Sequence, residues 1–280
     1  MEYLDRPQRL VEQRLAEVLG VVDPPTLSRS LQHSTLSGGK RVRPAVTILT
    51  CEALGGHADD AVDYAAGIEL VHSASLIVDD IIDESPIRRG VDSAWAKYGH
   101  GPAIIASNGL LGEAFGLFSD RPRALTVVTN ALLELGQGEA VELVDYPTTE
   151  AEYVTLARRK TGALFRAAAA LGAIAAEQDD HTVDLMGEFA ERVGIAFQMR
   201  DDVLDATAEA AHLGKPTGRD ATMERPSVLL VTEITPEQAN ARASEEIDAA
   251  LAALEKIDTM DADARDRLIE VAEFVVARDR

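Results

Sequence analysis

The sequence is poor in several features that would otherwise fix its class. It holds one cysteine, Cys51, in 280 residues, so neither a disulfide framework nor a thiolate metal site is open to it. A lone small thiol of this kind reads as a buried core side chain. Aromatics make up 4% of residues while Ala, Leu and Val abound, which favours helix over sheet. No apolar run approaches the roughly 18 residues of a membrane span. The opening Met1-Glu-Tyr-Leu-Asp-Arg has neither the basic lead nor the apolar core of a secretion signal, so a cytoplasmic protein is expected. Lysine is scarce, occurring only at 40, 97, 160, 215 and 256, and the formal charge is −21. Nucleic-acid phosphates demand a basic face, so no nucleic-acid partner is expected. A surface this acidic repels itself unless salt screens it, which is the pattern of a salt-adapted protein.

What the chain does have is helical periodicity. Apolar spacing predicts helices over 2–20, 44–54, 58–84, 101–118, 122–145, 150–176, 182–206, 236–256 and 262–278. Pro44 can open a helix that stops at Gly55-Gly56. Thr149 with Glu152, and Thr235 with Gln238, have capping-box spacing, the second with Pro236 at the first helical position. The run from Val42 to Leu49 could pass for a strand, but nothing nearby would pair with it. There is no internal repeat and no low-complexity linker, so residues 1–280 read as one all-α domain.

Within that pattern Asp79-Asp80-Ile-Ile-Asp83 recurs as Asp201-Asp202-Val-Leu-Asp205. Residues i and i+4 share a helix face, so Asp79 and Asp83 present two carboxylates to one point, and seven residues back His72 looks the same way. Gly194, Gln198, Asp201 and Asp205 share a face by the same spacing. One such cluster alone is ordinarily a solvated acidic helix end. Two copies, each ending an apolar helix, put like charges where they are costly to desolvate. A divalent cation with oxygen ligands resolves that cost, and Mg²⁺ favours one or two carboxylates plus phosphate oxygens.

Cations stand at intervals between and beside the clusters. Gly38-Gly39-Lys40-Arg41-Val42-Arg43-Pro44 sets three of them behind flexible glycines, which suits a diphosphate. It lacks the spacing of a Walker loop. Arg88-Arg89-Gly90, Lys160-Thr161-Gly162 and the stretch Gly214-Lys215-Pro216-Thr217-Gly218-Arg219-Asp220 follow. Two carboxylate poles and several separated cationic groups imply two bound diphosphates, one of which departs. No serine or cysteine nucleophile has a supporting triad.

In this order the motifs resemble the trans-isoprenyl diphosphate synthase family from about Gly38 to Leu230, with Gly136-Gln137 and Phe197-Gln198 among them. The resemblance implies an all-α bundle around a deep central cavity, usually homodimeric, that joins isopentenyl diphosphate to an allylic diphosphate. It implies isopentenyl diphosphate positions at Gly39, Lys40, Arg43, His72 and Arg89. Asp79, Asp83 and Asp201 match Mg²⁺ ligands for three ions in the loaded enzyme, with Asp80, Asp202 and Asp205 as further members of the clusters. Arg88, Lys160, Lys215 and Arg225 match groups that hold the allylic diphosphate, and Thr161 and Gln198 match neighbours of the allylic cation. Ala74 and Ser75, small residues one turn before the first cluster, stand where aromatics in the family stop the product at C15. Val78, Trp95, Asn108 and Glu224 depart from the usual pattern.

A terpene cyclase on the same scaffold would carry an Asn/Ser/Glu metal motif in place of the second cluster and would not need the Gly-Gly-Lys-Arg site. A non-catalytic partner subunit would be expected to lose aspartates. Elongation is therefore the expected reaction, with geranylgeranyl diphosphate (C20) the natural product of a salt-adapted archaeal source and C15, C25 and longer products open.

Overall fold

A computed structural model describes residues 2–212 and 226–277. Lys215, Arg225 and Glu224 lie outside the described residues. Thirteen α-helices follow one another among the described residues: α1 Glu2–Gly20, α2 Pro25–Leu36, α3 Val42–Ala53, α4 Ala58–Ile82, α5 Ala94–Tyr98, α6 His100–Phe118, α7 Pro122–Ala140, α8 Glu150–Ala157, α9 Ala163–Ala175, α10 Asp180–His212, α11 Val228–Thr232, α12 Pro236–Leu254 and α13 Ala262–Ala277. Two π-helical turns, π1 Val141–Asp145 and π2 Arg158–Gly162, interrupt the long predicted helices over 122–145 and 150–176. The run from Val42 to Leu49 is helix, not strand, and α3 begins two residues before Pro44.

The expected all-α bundle is built around α9. Leu164, Phe165, Ala167, Ala168, Ala169, Leu171 and Ala173 are all buried, so this helix is apolar on every side but that of Arg166, which pairs with Asp184, and runs through the centre. Its alanines let α3, α4, α7 and α10 approach closely, and Thr47 Oγ1 on α3 donates to the Ala168 carbonyl at 2.9 Å. The helix boundaries follow local chemistry. Thr149 accepts from Glu152 N while Glu152 reaches back to Thr149 N, and Thr235 and Gln238 do the same, so both predicted capping boxes form.

Helices α2, α5 and α11 and a short hairpin were not in the sequence pattern. Helix α2 buries Ser28, Ser30, Leu31 and Thr35, and Ser28 Oγ donates to the Leu19 carbonyl at 2.7 Å to dock it on α1. Between α4 and α5 a hairpin pairs β1 Ile87–Arg88 with β2 Val91–Asp92. Its two turn residues, Arg89 and Gly90, have φ of 53° and 81°, the left-handed pair that a two-residue hairpin turn demands.

Candidate active site

The first element of the site is the loop before α3. Gly38 and Gly39 have φ of 93° and 125°, and a Cβ on Gly39 would lie 2.7 Å from Arg89 Cζ. Glycine thus lets the Arg89 guanidinium lie against the loop backbone, where its Nη1 donates to the Gly38 carbonyl. Lys40 Nζ sits 5.3 Å from the centroid of the Phe274 ring on α13. Arg43 stacks on Phe165 of α9 at 4.7 Å and approaches His72 Nε2 at 3.2 Å. Burial, then Arg43 and its neighbouring arginines, push the His72 imidazole well below its ordinary value, so it is neutral and its Nε2 accepts from Arg43. Burial lowers Arg43 itself to about 10, with Arg89 adding to the effect and Glu69 opposing it. Together Lys40, Arg43, His72 and Arg89 face a pocket of about 140 Å³ whose remaining walls, Phe165, Phe197, Val271 and Phe274 among them, are mostly apolar.

The three cations of the Gly-Gly-Lys-Arg loop do not act together, which corrects the reading of that loop as one phosphate cradle. Arg41 turns inward. Its Nη1 pairs with the buried Glu69 of α4 at 2.6 Å and its Nη2 donates to the Thr35 carbonyl at 2.6 Å. A buried guanidinium needs such partners, so its role is to anchor the loop.

The second element is the C-terminal end of α4, where Asp79 and Asp83 share one face. Asp80, one residue round, is buried, and its Oδ1 accepts from Arg88 Nε at 2.8 Å and Nη2 at 2.5 Å. That pair ties the hairpin to α4. Across from this end, π1 and π2 meet through Lys160, which pairs with Glu142 and lies 3.3 Å from Glu139 Oε1. Burial opposes the Lys160 charge, but Glu142, Glu139 and then Asp79 outweigh it and raise its value. Burial likewise pushes Glu139 up to about 7, with Lys160 opposing and Asp79 adding.

The third element is α10. A Cβ on Gly194 would lie 2.8 Å from Gly162 Cα, so this helix rests directly on π2. Contact that close brings Thr161 Oγ1 to 2.6 Å from Gln198 Oε1. Gln198 Nε2 donates to Asp202 Oδ1 at 2.9 Å, and Asp202 Oδ2 accepts from Tyr153 OH and Val228 N, each at 2.7 Å. With both oxygens so engaged, Asp202 holds α8, α10 and α11 together. Asp201 is partly exposed and Asp205 exposed, four residues apart on one face of the helix. Because Lys160 feels Asp79 while its neighbour Thr161 touches Gln198, π2 stands between the two aspartate clusters.

Residues 24–262 match the family model described as polyprenyl synthetase. The chain is 36% identical to the geranylgeranyl diphosphate synthase of Methanosarcina mazei over 79% of this chain and 71% of that protein. It is 35% identical to the geranylfarnesyl diphosphate synthase of Aeropyrum pernix over 79% and 74%. The crystal structure of geranylgeranyl pyrophosphate synthetase from Pyrococcus horikoshii superposes with a TM-score of 0.88 at 30% identity, covering 99% of this chain and 98% of that one. The chain belongs to the polyprenyl synthetase family.

As an isoprenyl diphosphate synthase, it carries oxygen donors suited to Mg²⁺: paired carboxylates on α4 and on α10, with no imidazole or thiolate among them. Among the described residues no three such side chains converge on one point. Of the synthase's departures, Trp95 Nε1 donates to the Ser85 carbonyl at 3.0 Å and stacks on His100, Val78 is exposed beside Asp79, and Asn108 is exposed on α6. Glu69, Glu139, Glu142, Tyr153 and Phe274 were missed by sequence reasoning. Glu139 and Glu142 follow Gly136-Gln137 within two turns and Glu69 precedes His72 by one turn of α4, usable signals, whereas Tyr153 and Phe274 are brought in from remote segments.

Proposed function

We propose that this synthase elongates an allylic diphosphate with isopentenyl diphosphate to geranylgeranyl diphosphate, as a cytoplasmic homodimer. The observation that carries the reading is the cationic, apolar-walled pocket of Lys40, Arg43, His72 and Arg89, set beside Asp79 and Lys160. It suits a diphosphate with a short alkenyl tail. Asp79 and Asp83 on α4, and Asp201 with Asp205 on α10, would hold Mg²⁺, three ions in the loaded enzyme, which supplies countercharge to the departing diphosphate. Arg88 and Lys160 add cationic donors to that leaving group, aided by Lys215 and Arg225. As the C1–O bond breaks, Thr161 Oγ and Gln198 Oε1 present oxygen dipoles to the allylic cation. The isopentenyl double bond forms the new bond to C1, and the proton it loses goes to the released diphosphate.

The C20 product is supported by the likeness to the geranylgeranyl diphosphate synthase of Methanosarcina mazei and the geranylgeranyl pyrophosphate synthetase of Pyrococcus horikoshii. Support for the homodimer comes from Ile104, Ile105 and Leu133, 52%, 59% and 63% exposed on α6 and α7 beside the open Gly112 and Gly116. Chromatography of dephosphorylated products from isopentenyl diphosphate and each allylic starter tests the reading, with light scattering for the dimer. Absence of chain elongation, or a dominant product other than C20, would sink the corresponding part.

A further inference from the structure

Four cations crowd the diphosphate pocket: Lys40, Arg41, Arg43 and Arg89. Each arginine is fixed by polar partners or stacking. Arg41 is held by Glu69 and the Thr35 carbonyl, Arg43 by His72 and the Phe165 ring, and Arg89 by the Gly38 carbonyl. Among the described residues Lys40 has no hydrogen bond and no ion pair; its partner is the face of Phe274. Lysine carries a flexible stem, and repulsion from three arginines would turn it out toward an acidic surface.

The ring is not casually placed. Helix α13 runs antiparallel to α3, starting where Asp261 N donates to the Ala53 carbonyl at 2.7 Å and reaching Lys40 at Phe274. Both strides are 13 residues, from Ala53 back to Lys40 and from Asp261 on to Phe274, so the contact is set by the register of two packed helices. Val271 and Val275, both buried, flank Phe274 and lock its turn of α13.

We propose that Phe274 is a positioning residue for Lys40, and that the C-terminal helix thereby forms part of the isopentenyl diphosphate subsite. The ring holds the ammonium over the pocket before substrate arrives and spares the ordering of a long side chain on binding. The inference rests on the reading of this pocket given under Proposed function.

Steady-state kinetics of Phe274→Leu, which keeps apolar bulk but loses the π face, should show KM for isopentenyl diphosphate raised about three- to tenfold. KM for the allylic substrate and kcat at saturation should stay within twofold. Phe274→Trp should restore the parent value. In a Lys40→Met background the Phe274→Leu effect should vanish, as a double-mutant cycle requires of a coupled pair. Pentafluorophenylalanine at 274 keeps the ring's shape while removing its negative face, so it serves as the second variant should leucine loosen α13; it too should raise KM. An active parent whose KM is unmoved by these changes overturns the proposal alone, and so does an equal shift in the Lys40→Met background. A parent that consumes no isopentenyl diphosphate overturns the reading of the pocket and the proposal with it.

Discussion

Replacing Glu69 by leucine probes how the loop before α3 is held. The Glu69 and Arg41 side chains are 2% and 0% exposed and their charged atoms lie 2.6 Å apart. Removing one member of a buried pair leaves an uncompensated charge, at a cost of about 3–5 kcal/mol. Glu12, 3.6 Å from Arg41 Nε and 40% exposed, gives partial relief, so the lower part of that range is expected. For a chain of this size each kcal/mol moves the melting temperature by about 2–4 °C, so a cost of about 3–4 kcal/mol gives a fall of about 6–16 °C. Function should suffer separately. Glu69 also offsets the repulsion on Arg43 and Arg89, whose values burial already lowers. In Glu69→Leu the Arg43 value should fall further below about 10, and KM for isopentenyl diphosphate should rise at lower alkaline pH than in the parent. The double variant Arg41→Met/Glu69→Leu removes both charges and should recover most of the stability while keeping the raised KM. Differential scanning calorimetry and KM–pH profiles measure the two effects. A Glu69→Leu melting temperature within about 2 °C of the parent, or a double variant no more stable than the single, would refute the account of Arg41 as a buried anchor.

Asp79→Ala and Asp83→Ala should each lower turnover by at least about 10²-fold at saturating Mg²⁺, the scale of losing one strong electrostatic element at a transition state; steady-state rates within tenfold of the parent would remove the metal assignment. Ser75→Phe, on the Asp79 face of α4, should shorten the product toward C15, whereas Ala74, buried at the helix whose Ser107 Oγ bonds its carbonyl, should accept Phe only with loss of stability; product chromatography and melting curves separate the two. Glu139, raised by burial from about 4.5 to about 7, binds its proton more tightly folded than unfolded, so it should make stability fall as pH rises through that window and level off above it. Glu139→Gln should lose that slope, and equal melting-temperature changes from pH 5 to pH 8 in both proteins would contradict it. If the −21 charge is a salt adaptation, thermal stability should rise from low to molar KCl, and a flat or falling profile would end that argument.

The parts legible in sequence were those written in local spacing. The 3.6-residue stripe marked the long helices, two capping boxes marked helix starts to the residue, and the repeated aspartate cluster marked the chemistry. What stayed hidden obeys other rules. Helix α2 has no apolar stripe because it buries Ser28, Ser30 and Thr35, with Ser28 bonded to the Leu19 carbonyl. The hairpin strands are two residues each, too short for a pattern, and only Arg89-Gly90 hints at the turn. Arg41 and Arg43 look alike in sequence, yet one meets Glu69 and the other Phe165, a difference decided by helices packed from elsewhere. Phe274 is remote from Lys40 in sequence, and only the pairing of α13 with α3 unites them.

The two π-turns have a bearing on how this chain can change. A π-turn holds one residue more than the α-turn it replaces, and the wider turn absorbs that residue, so α8 and α9 keep the helical phase they would have in one regular helix. Delete one residue from 158–162 and the turn could close into regular α form with Tyr153 still facing Asp202. What the extra residue changes is local: the wall bulges at Arg158–Gly162, where Lys160 reaches Glu142 and Thr161 reaches Gln198. A single-residue deletion there should therefore spare the packing of α8 and abolish the contacts that the bulge makes.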